Sequence, residues 1–152
     1  MNTPTILIIE DGDEYLDNLS RFVSGPRYLQ AHDAAEARAL LAGERVDILY
    51  LDMRFDRIAR ERLVGDHTEV SREHNGDGAR AWRFLQNNQG LFILADLAAA
   101  GLATQPVILA YDFAHETARW QHLCKRHPNL HWVADDVTGD TLRALFARVV
   151  AP

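Results

Sequence analysis

Short runs of apolar residues alternate along this chain with longer segments in which apolar residues recur at helical spacing. This alternation is typical of a parallel β-sheet with helices on both faces, because each strand is then buried on both sides. The pattern predicts a doubly wound α/β domain of five strands and five main helices. The predicted strands are 6–9, 28–31, 46–52, 106–111 and 130–134.

Each predicted helix carries its apolar residues on one face. The face of the first is formed by Tyr15, Leu16, Leu19, Phe22 and Val23, and that of the last by Leu142, Leu145, Phe146, Val149 and Val150. Asp33 precedes the second helix, where its carboxylate is expected to cap the helix N-terminus. The third helix is predicted over 78–86.

Two segments do not fit a minimal five-strand plan. Residues 54–76 carry mixed charges, and we expect this insertion to be a mobile cover over one end of the sheet instead of core. Residues 91–104 are apolar, and we expect them to extend the third helix or to form an extra helix packed on the sheet. An exposed apolar face there would instead indicate a partner surface or a homodimer.

Composition limits the class of protein. The chain has 152 residues, 47% of them hydrophobic, which predicts a single domain over 1–152 with a sizeable core. A formal net charge of -6 argues against nonspecific nucleic-acid binding, which needs clustered Lys and Arg. The single cysteine, Cys124, agrees with a reducing compartment. The most apolar window is too short to cross a bilayer, so we expect a cytoplasmic protein that does not enter a membrane.

Three carboxylates stand at the ends of predicted strands. Glu10 and Asp11 follow the first strand, and Asp52 ends the third. Because the C-terminal ends of parallel strands line one crevice, these acids are expected to converge on a hard divalent cation, Mg²⁺ or Mn²⁺. Asp52 would then be a phosphoryl acceptor next to the metal. The alternative for Asp11 or Asp13 alone is a helix cap.

These residues carry a resemblance to a known family. The run Ile6-Leu7-Ile8-Ile9-Glu10-Asp11, Asp52 after an apolar strand, and then Pro106-Val107-Ile108-Leu109 resemble a response-regulator receiver domain over nearly the whole chain. The resemblance implies a flavodoxin-like (βα)5 fold in which Glu10 and Asp11 bind Mg²⁺ and Asp52 accepts phosphate. It also implies that the backbone carbonyl of Arg54 completes the metal shell.

The same resemblance implies partners and a further match. A receiver interacts with a histidine kinase or phosphotransfer protein and with a downstream signalling protein. Asp77-Gly78 resembles the turn that opens the family's third helix, with extra residues before it.

The chain departs from the family at the positions that respond to phosphorylation. The family's Ser or Thr at the end of the fourth strand corresponds to Tyr111, or to Ala110 with one residue of slippage. The family's Lys at the end of the fifth strand corresponds to Asp135, which would oppose a phosphoryl dianion where Lys favours it. Trp132 falls where receivers carry an aromatic residue whose rotamer changes on activation.

The insertion contains side chains that bear on this loss of a cation. Arg57, Arg60 and Arg62 belong to it, and a guanidinium folded over the crevice could replace the missing Lys as a phosphate ligand. His67 and His74 lie seven residues apart, as two metal ligands on a helix can, but the loose spacing favours solvated surface.

Three functions follow as alternatives. The first is a phosphoaccepting receiver that uses Asp52 and a divalent metal. The second is a pseudo-receiver, an interaction module that keeps the fold and does not cycle phosphate. The third is a metal-dependent phosphohydrolase, either related to receivers or resembling haloacid dehalogenases. In the latter, Asp11 and Asp13 would be nucleophile and acid/base, and Asp135 and Asp136 metal ligands. Against that enzyme, the only lysine is Lys125, inside a predicted helix.

Overall fold

A single sheet of five parallel strands forms the centre of the molecule. The computed structural model describes residues 3–151. The strands are β1 (Thr5–Ile9), β2 (Arg27–Ala31), β3 (Ile48–Asp52), β4 (Val107–Ala110) and β5 (Leu130–Val133). Their order in the sheet is β2-β1-β3-β4-β5, and every neighbouring pair is parallel. The predicted flavodoxin-like fold is confirmed.

Seven α-helices and one 3₁₀ turn, Arg60–Arg62, accompany the strands in the described part of the chain. The helices are α1 (Glu14–Phe22), α2 (Ala34–Gly43), α3 (His67–Glu73), α4 (Gly78–Asn87), α5 (Gln89–Ala99), α6 (Thr117–Arg126) and α7 (Gly139–Val150). Asp33 caps α2 as predicted, since its side chain accepts the Glu36 N–H at 2.8 Å. The two helices beyond the predicted five come from the long connection between β3 and β4.

Alternate side chains of each strand point to opposite faces of the sheet, and both faces are covered. Residues packed with α1 and α7 include Ile6, Ile8, Ile48, Tyr50, Ile108 and Val133. Residues packed with α2, α5 and α6 include Leu7, Ile9, Leu49, Leu51, Val107 and Leu109. The acids that end β1 and β3 therefore lie at one edge of a rigid, fully packed sheet.

The insertion is structural, and its prediction as a mobile cover was wrong. Phe55 is fully buried and Ile58 is nearly so, and both belong to the main core. Val70 of α3 packs against Ala81 and Leu85 of α4 in a second, smaller core. These apolar residues were hidden among charges because they face two different cores and so form no single periodic stripe.

The helix that covers the sheet between β3 and β4 is α5. Its Ile93, Leu94 and Leu97 are buried in the main core. Of the two alternatives stated for residues 91–104, the helix packed on the sheet is the one observed, and its apolar face is covered. Asp77 and Gly78 lie at the start of a different helix, α4, which packs on α3. The connection that precedes the covering helix thus extends to Asn88, well beyond the predicted 54–76.

Two residues expected in the core are exposed. Phe22 is 57% exposed and Val150 is 41% exposed, and each is the last residue of its helix. In the part of the chain that the structure describes, no helix is both long and apolar enough to cross a membrane.

Candidate functional site

The predicted acids meet at the C-terminal ends of β1 and β3, and main-chain groups orient all three. Glu10 is buried, and its Oε1 accepts the Tyr15 N–H at 3.1 Å. Asp52 Oδ1 accepts the Met53 N–H at 2.9 Å. Asp11 Oδ2 accepts the N–H groups of Asp56 and Arg57, at 2.9 and 2.8 Å. The start of the insertion is therefore attached to the β1 end of the site.

The surroundings of Glu10 and Asp52 disfavour the charged forms of these acids. Burial raises the pKa of Asp52 to about 7; the Met53 N–H opposes the rise, and the charges of Glu10, Asp11 and Asp135 add to it. Burial likewise raises the pKa of Glu10 to about 7. Within residues 3–151, no Lys or Arg forms an ion pair with Asp52. A cation bound at this edge would relieve the repulsion.

The donor chemistry fits a hard divalent cation. One oxygen of each carboxylate, namely Glu10 Oε2, Asp11 Oδ1 and Asp52 Oδ2, has no hydrogen-bond partner in the described protein. Carboxylate oxygens are the ligands that Mg²⁺ and Mn²⁺ prefer. As they stand, no three His, Cys, Asp or Glu side chains among the described residues form a complete metal-binding group. The acids would have to rotate toward a shared ion.

A cavity of about 560 Å³ opens beside Asp52, and we refer to it as the Asp52 cavity. It is lined by Tyr15, Asp52, Met53, Arg54, Asn87, Ala110, Tyr111, Asp112 and Asp135. Five residues predicted from the sequence thus share one cavity: Asp52, Arg54, Ala110, Tyr111 and Asp135. Trp132 lies elsewhere, half-buried on β5 with its ring centroid 6.3 Å from that of Phe113.

The end of β4 does not supply a hydroxyl to Asp52. Ala110 is the register partner of Asp52, and Tyr111 follows it. The Tyr111 hydroxyl donates to Glu116, which also pairs with Arg119 at 3.0 Å. Since this hydroxyl is already engaged away from Asp52, Tyr111 does not reproduce the family's Ser or Thr.

Arg57, Arg60 and Arg62 do not replace the missing Lys. Arg57 pairs with Glu14 at 2.6 Å, Arg62 pairs with the buried Asp33 at 2.6 Å, and Arg60 lies over the ring of Trp82. Each guanidinium is thus held by a partner outside the Asp52 cavity.

His67 and His74 hold the two insertion helices together. His67 stacks on Trp82 with ring centroids 4.0 Å apart, and its Nε2 donates to the Gly78 carbonyl at 2.9 Å. His74 Nδ1 donates to the carbonyl of Val70 in α3 at 2.8 Å, and its ring centroid lies 5.2 Å from that of Phe84 in α4. Both side chains are half-buried, so their prediction as solvated surface was wrong.

Tyr15 is a site residue that the sequence did not predict. Its hydroxyl lies 3.4 Å from Asp52 Oδ1 and 3.5 Å from Asp135 Oδ1, between the two carboxylates. Its ring packs edge-on against Tyr50, with centroids 5.4 Å apart. In the sequence, Tyr15 was only one member of the apolar face of α1, and nothing in that spacing indicated where its hydroxyl would point.

The junction of α4 and α5 also touches the site. The Gly90 N–H donates to the Met53 carbonyl at 2.9 Å, and a β-carbon on Gly90 would stand closer than 3.0 Å to the Asp52 carbonyl oxygen. The neighbouring Gln89 is fully buried, and its amide group bonds both the N–H and the carbonyl of Val64. The start of α5 therefore packs directly against the backbone of Asp52 and Met53, and Gln89 connects it to Val64 of the insertion.

Comparison with solved structures identifies the fold. No family profile and no curated protein matches the sequence. The Francisella response regulator 1452 receiver domain aligns over 97% of this chain and 96% of its own, with a TM-score of 0.62 and 15% identity. The Vibrio cholerae chemotaxis protein CheY4 aligns over 97% and 99%, with a TM-score of 0.63 and 14% identity. A receiver domain from Clostridium thermocellum aligns over 97% and 94%, with a TM-score of 0.60 and 14% identity. The chain has the fold of response-regulator receiver domains.

Proposed function

We propose that this chain is a receiver-like signalling domain in which Asp52 accepts a phosphoryl group with the help of Mg²⁺ or Mn²⁺. The observation that carries the proposal is the position of Asp52. This half-buried carboxylate lines an open cavity, has Glu10 and Asp11 at the neighbouring strand end, and ends the central strand of a receiver fold.

The transfer is a single displacement at phosphorus. A carboxylate oxygen of Asp52 bonds to the phosphorus of a phosphohistidine or a small acyl phosphate, and the bond from phosphorus to the donor's nitrogen or oxygen breaks. The electron pair of that bond leaves with the donor, and Asp52 becomes an acyl phosphate. A bound divalent cation would supply charge neutralisation for the phosphoryl oxygens. Glu10, Asp11, Asp52 and the carbonyl of Arg54 are the groups proposed to hold it.

The fixed main chain around Asp52 positions the acceptor. The Met53 N–H orients Oδ1, and the Gly90 N–H holds the carbonyl of the same residue, Met53. Asp135 lowers the affinity for the phosphoryl dianion because it brings a like charge to the cavity. We therefore expect phosphorylation to be slower or weaker than in receivers that have Lys at this position.

The proposed partners are those of receivers in general, namely a histidine kinase or phosphotransfer protein and a downstream signalling protein. The chief alternative is the pseudo-receiver, which Asp135 and the engaged Tyr111 hydroxyl favour. The dehalogenase-like hydrolase is disfavoured because its proposed acid/base, Asp13, bonds His32 at 2.9 Å outside the Asp52 cavity.

Incubation with acetyl phosphate, followed by intact-mass measurement, tests the proposal. We expect one phosphoryl group per chain when Mg²⁺ is present, none when it is removed by chelation, and none in Asp52→Asn. Asp17→Asn, at an exposed position of α1, is the matched control and should label like the parent. Unlabelled parent protein under all divalent-ion conditions would favour the pseudo-receiver.

A further inference from the structure

A tyrosine hydroxyl lies beside Asp135, the residue that stands after β5 at the position where receivers carry Lys. The Tyr15 hydroxyl lies between Asp52 and Asp135, at 3.4 and 3.5 Å from one carboxylate oxygen of each. Tyr15 is the second residue of α1, and its backbone N–H donates to Glu10. The helix start is therefore attached to the same acids that the hydroxyl faces.

Aromatic packing holds the hydroxyl in this place. The Tyr15 ring meets Tyr50 edge-on at 5.4 Å, and Tyr50, which is buried on β3, meets Phe146 of α7 edge-on at 6.3 Å. Such edge-to-face contacts favour a defined ring orientation. The hydroxyl is thus positioned by the core and not by solvent-exposed side chains.

No other side chain of the described protein donates to the Asp52 carboxylate. The Tyr111 hydroxyl is engaged by Glu116, and Arg54 and Asn87 line the Asp52 cavity without a hydrogen bond to Asp52. A phosphoryl group on Asp52 would bring three strong acceptor oxygens next to the one hydroxyl that is already there. Hydrogen bonds to charged acceptors are the stronger ones.

We infer that the Tyr15 hydroxyl is a direct ligand of the phosphoryl group, an inference that rests on the proposed function. It takes the place of the Ser or Thr and the Lys that receivers carry at the ends of their fourth and fifth strands. A single O–H donates to one acceptor at a time, so it turns from the carboxylates to a phosphoryl oxygen when the phosphoryl group arrives. Asp135 is exposed and is free to turn toward water. Tyr15 then offsets part of the repulsion that Asp135 introduces.

The experiment compares Tyr15→Phe with the parent and uses Tyr28→Phe as the matched control. Phe keeps the ring contacts and removes only the hydroxyl. The Tyr28 hydroxyl donates to the Val23 carbonyl at 2.6 Å, away from the Asp52 cavity. Beryllofluoride, a stable mimic of the phosphoryl group, is titrated at saturating Mg²⁺, and Mg²⁺ is titrated alone in parallel.

Tyr15→Phe should weaken beryllofluoride binding about tenfold, the effect of losing one hydrogen bond to a charged group. Its Mg²⁺ affinity should stay within about twofold, and Tyr28→Phe should match the parent in both titrations. Unchanged or tighter beryllofluoride binding in Tyr15→Phe would overturn the inference and leave the proposed function standing. A parent protein that binds Mg²⁺ but no beryllofluoride would overturn both.

Discussion

Gly90→Ala is predicted to disturb the fold and the site together, because Gly90 lies directly against the backbone of Asp52. A β-carbon there would stand closer than 3.0 Å to the Asp52 carbonyl oxygen, 3.0 Å from Met53 Cα and 3.1 Å from the Asp52 carbonyl carbon. Ordinary contacts of this kind are 3.4–4 Å. All three neighbours are main-chain atoms of a buried strand end, so no flexible side chain can move aside.

The change in the free energy of unfolding caused by Gly90→Ala has three contributions. Overpacking a tightly packed interior costs about 1–3 kcal/mol. Moving α5 away also stretches the bond from the Gly90 N–H to the Met53 carbonyl, worth about 0.5–1.5 kcal/mol. Alanine in a helix returns about 0.5–1 kcal/mol relative to glycine. The central values of these ranges give a net loss of about 2 kcal/mol, and at roughly 2–4 °C per kcal/mol the melting temperature should fall by roughly 4–8 °C.

Urea unfolding followed by tryptophan fluorescence and by circular dichroism measures this loss. The matched control is Gly43→Ala, the last residue of α2, where a β-carbon meets nothing within 4 Å. That variant should be as stable as the parent or slightly more so. An unfolding midpoint for Gly90→Ala equal to that of Gly43→Ala would show that α5 does not pack tightly against the backbone of Asp52.

Four further predictions concern the site and the insertion. Calorimetry should show Mg²⁺ or Mn²⁺ binding that Asp11→Asn or Asp52→Asn each weakens at least tenfold, because each removes a hard oxygen ligand. Asp135→Lys should increase labelling by acetyl phosphate, since it replaces a repulsive charge with an attractive one. Strong labelling of the parent that Asp135→Lys leaves unchanged would argue against a repulsive effect of Asp135. The raised pKa of Asp52, from 3.8 to about 7, means that the folded state binds this proton more tightly than the unfolded chain. The melting temperature of the metal-free protein should therefore fall as pH rises through that window, and less so in Asp52→Asn. Gln89→Leu should lose about 1–3 kcal/mol by urea unfolding, because it leaves both main-chain groups of Val64 unsatisfied.

Local sequence patterns were sufficient for the sheet. The central strands β1, β3 and β4 are short, mostly apolar runs, and the acids at the ends of β1 and β3 lie at one edge because parallel strands end there. The Asp33 cap likewise depends on only three residues of sequence. Asp135 could be assigned to the cavity by counting from the last helix.

The remainder of the site depends on contacts between distant residues. Gly90 approaches Asp52, and Gln89 bonds Val64, only after α4 and α5 have packed. A glycine and a glutamine at the start of an apolar helix do not indicate such contacts in the sequence. Tyr15 was visible as a helix-face aromatic, but the direction of its hydroxyl is set by packing on Tyr50.

The identity of the phosphorylated residue is the decisive test of Asp52 as the phosphoryl acceptor. The protein is treated with acetyl phosphate and Mg²⁺, reduced with borohydride to convert an aspartyl phosphate to homoserine, and mapped by peptide mass spectrometry. We expect homoserine at position 52 alone, and only when the divalent cation was present. Homoserine at Asp11 or Asp13 instead, or none at position 52 under any divalent-ion condition, would contradict it.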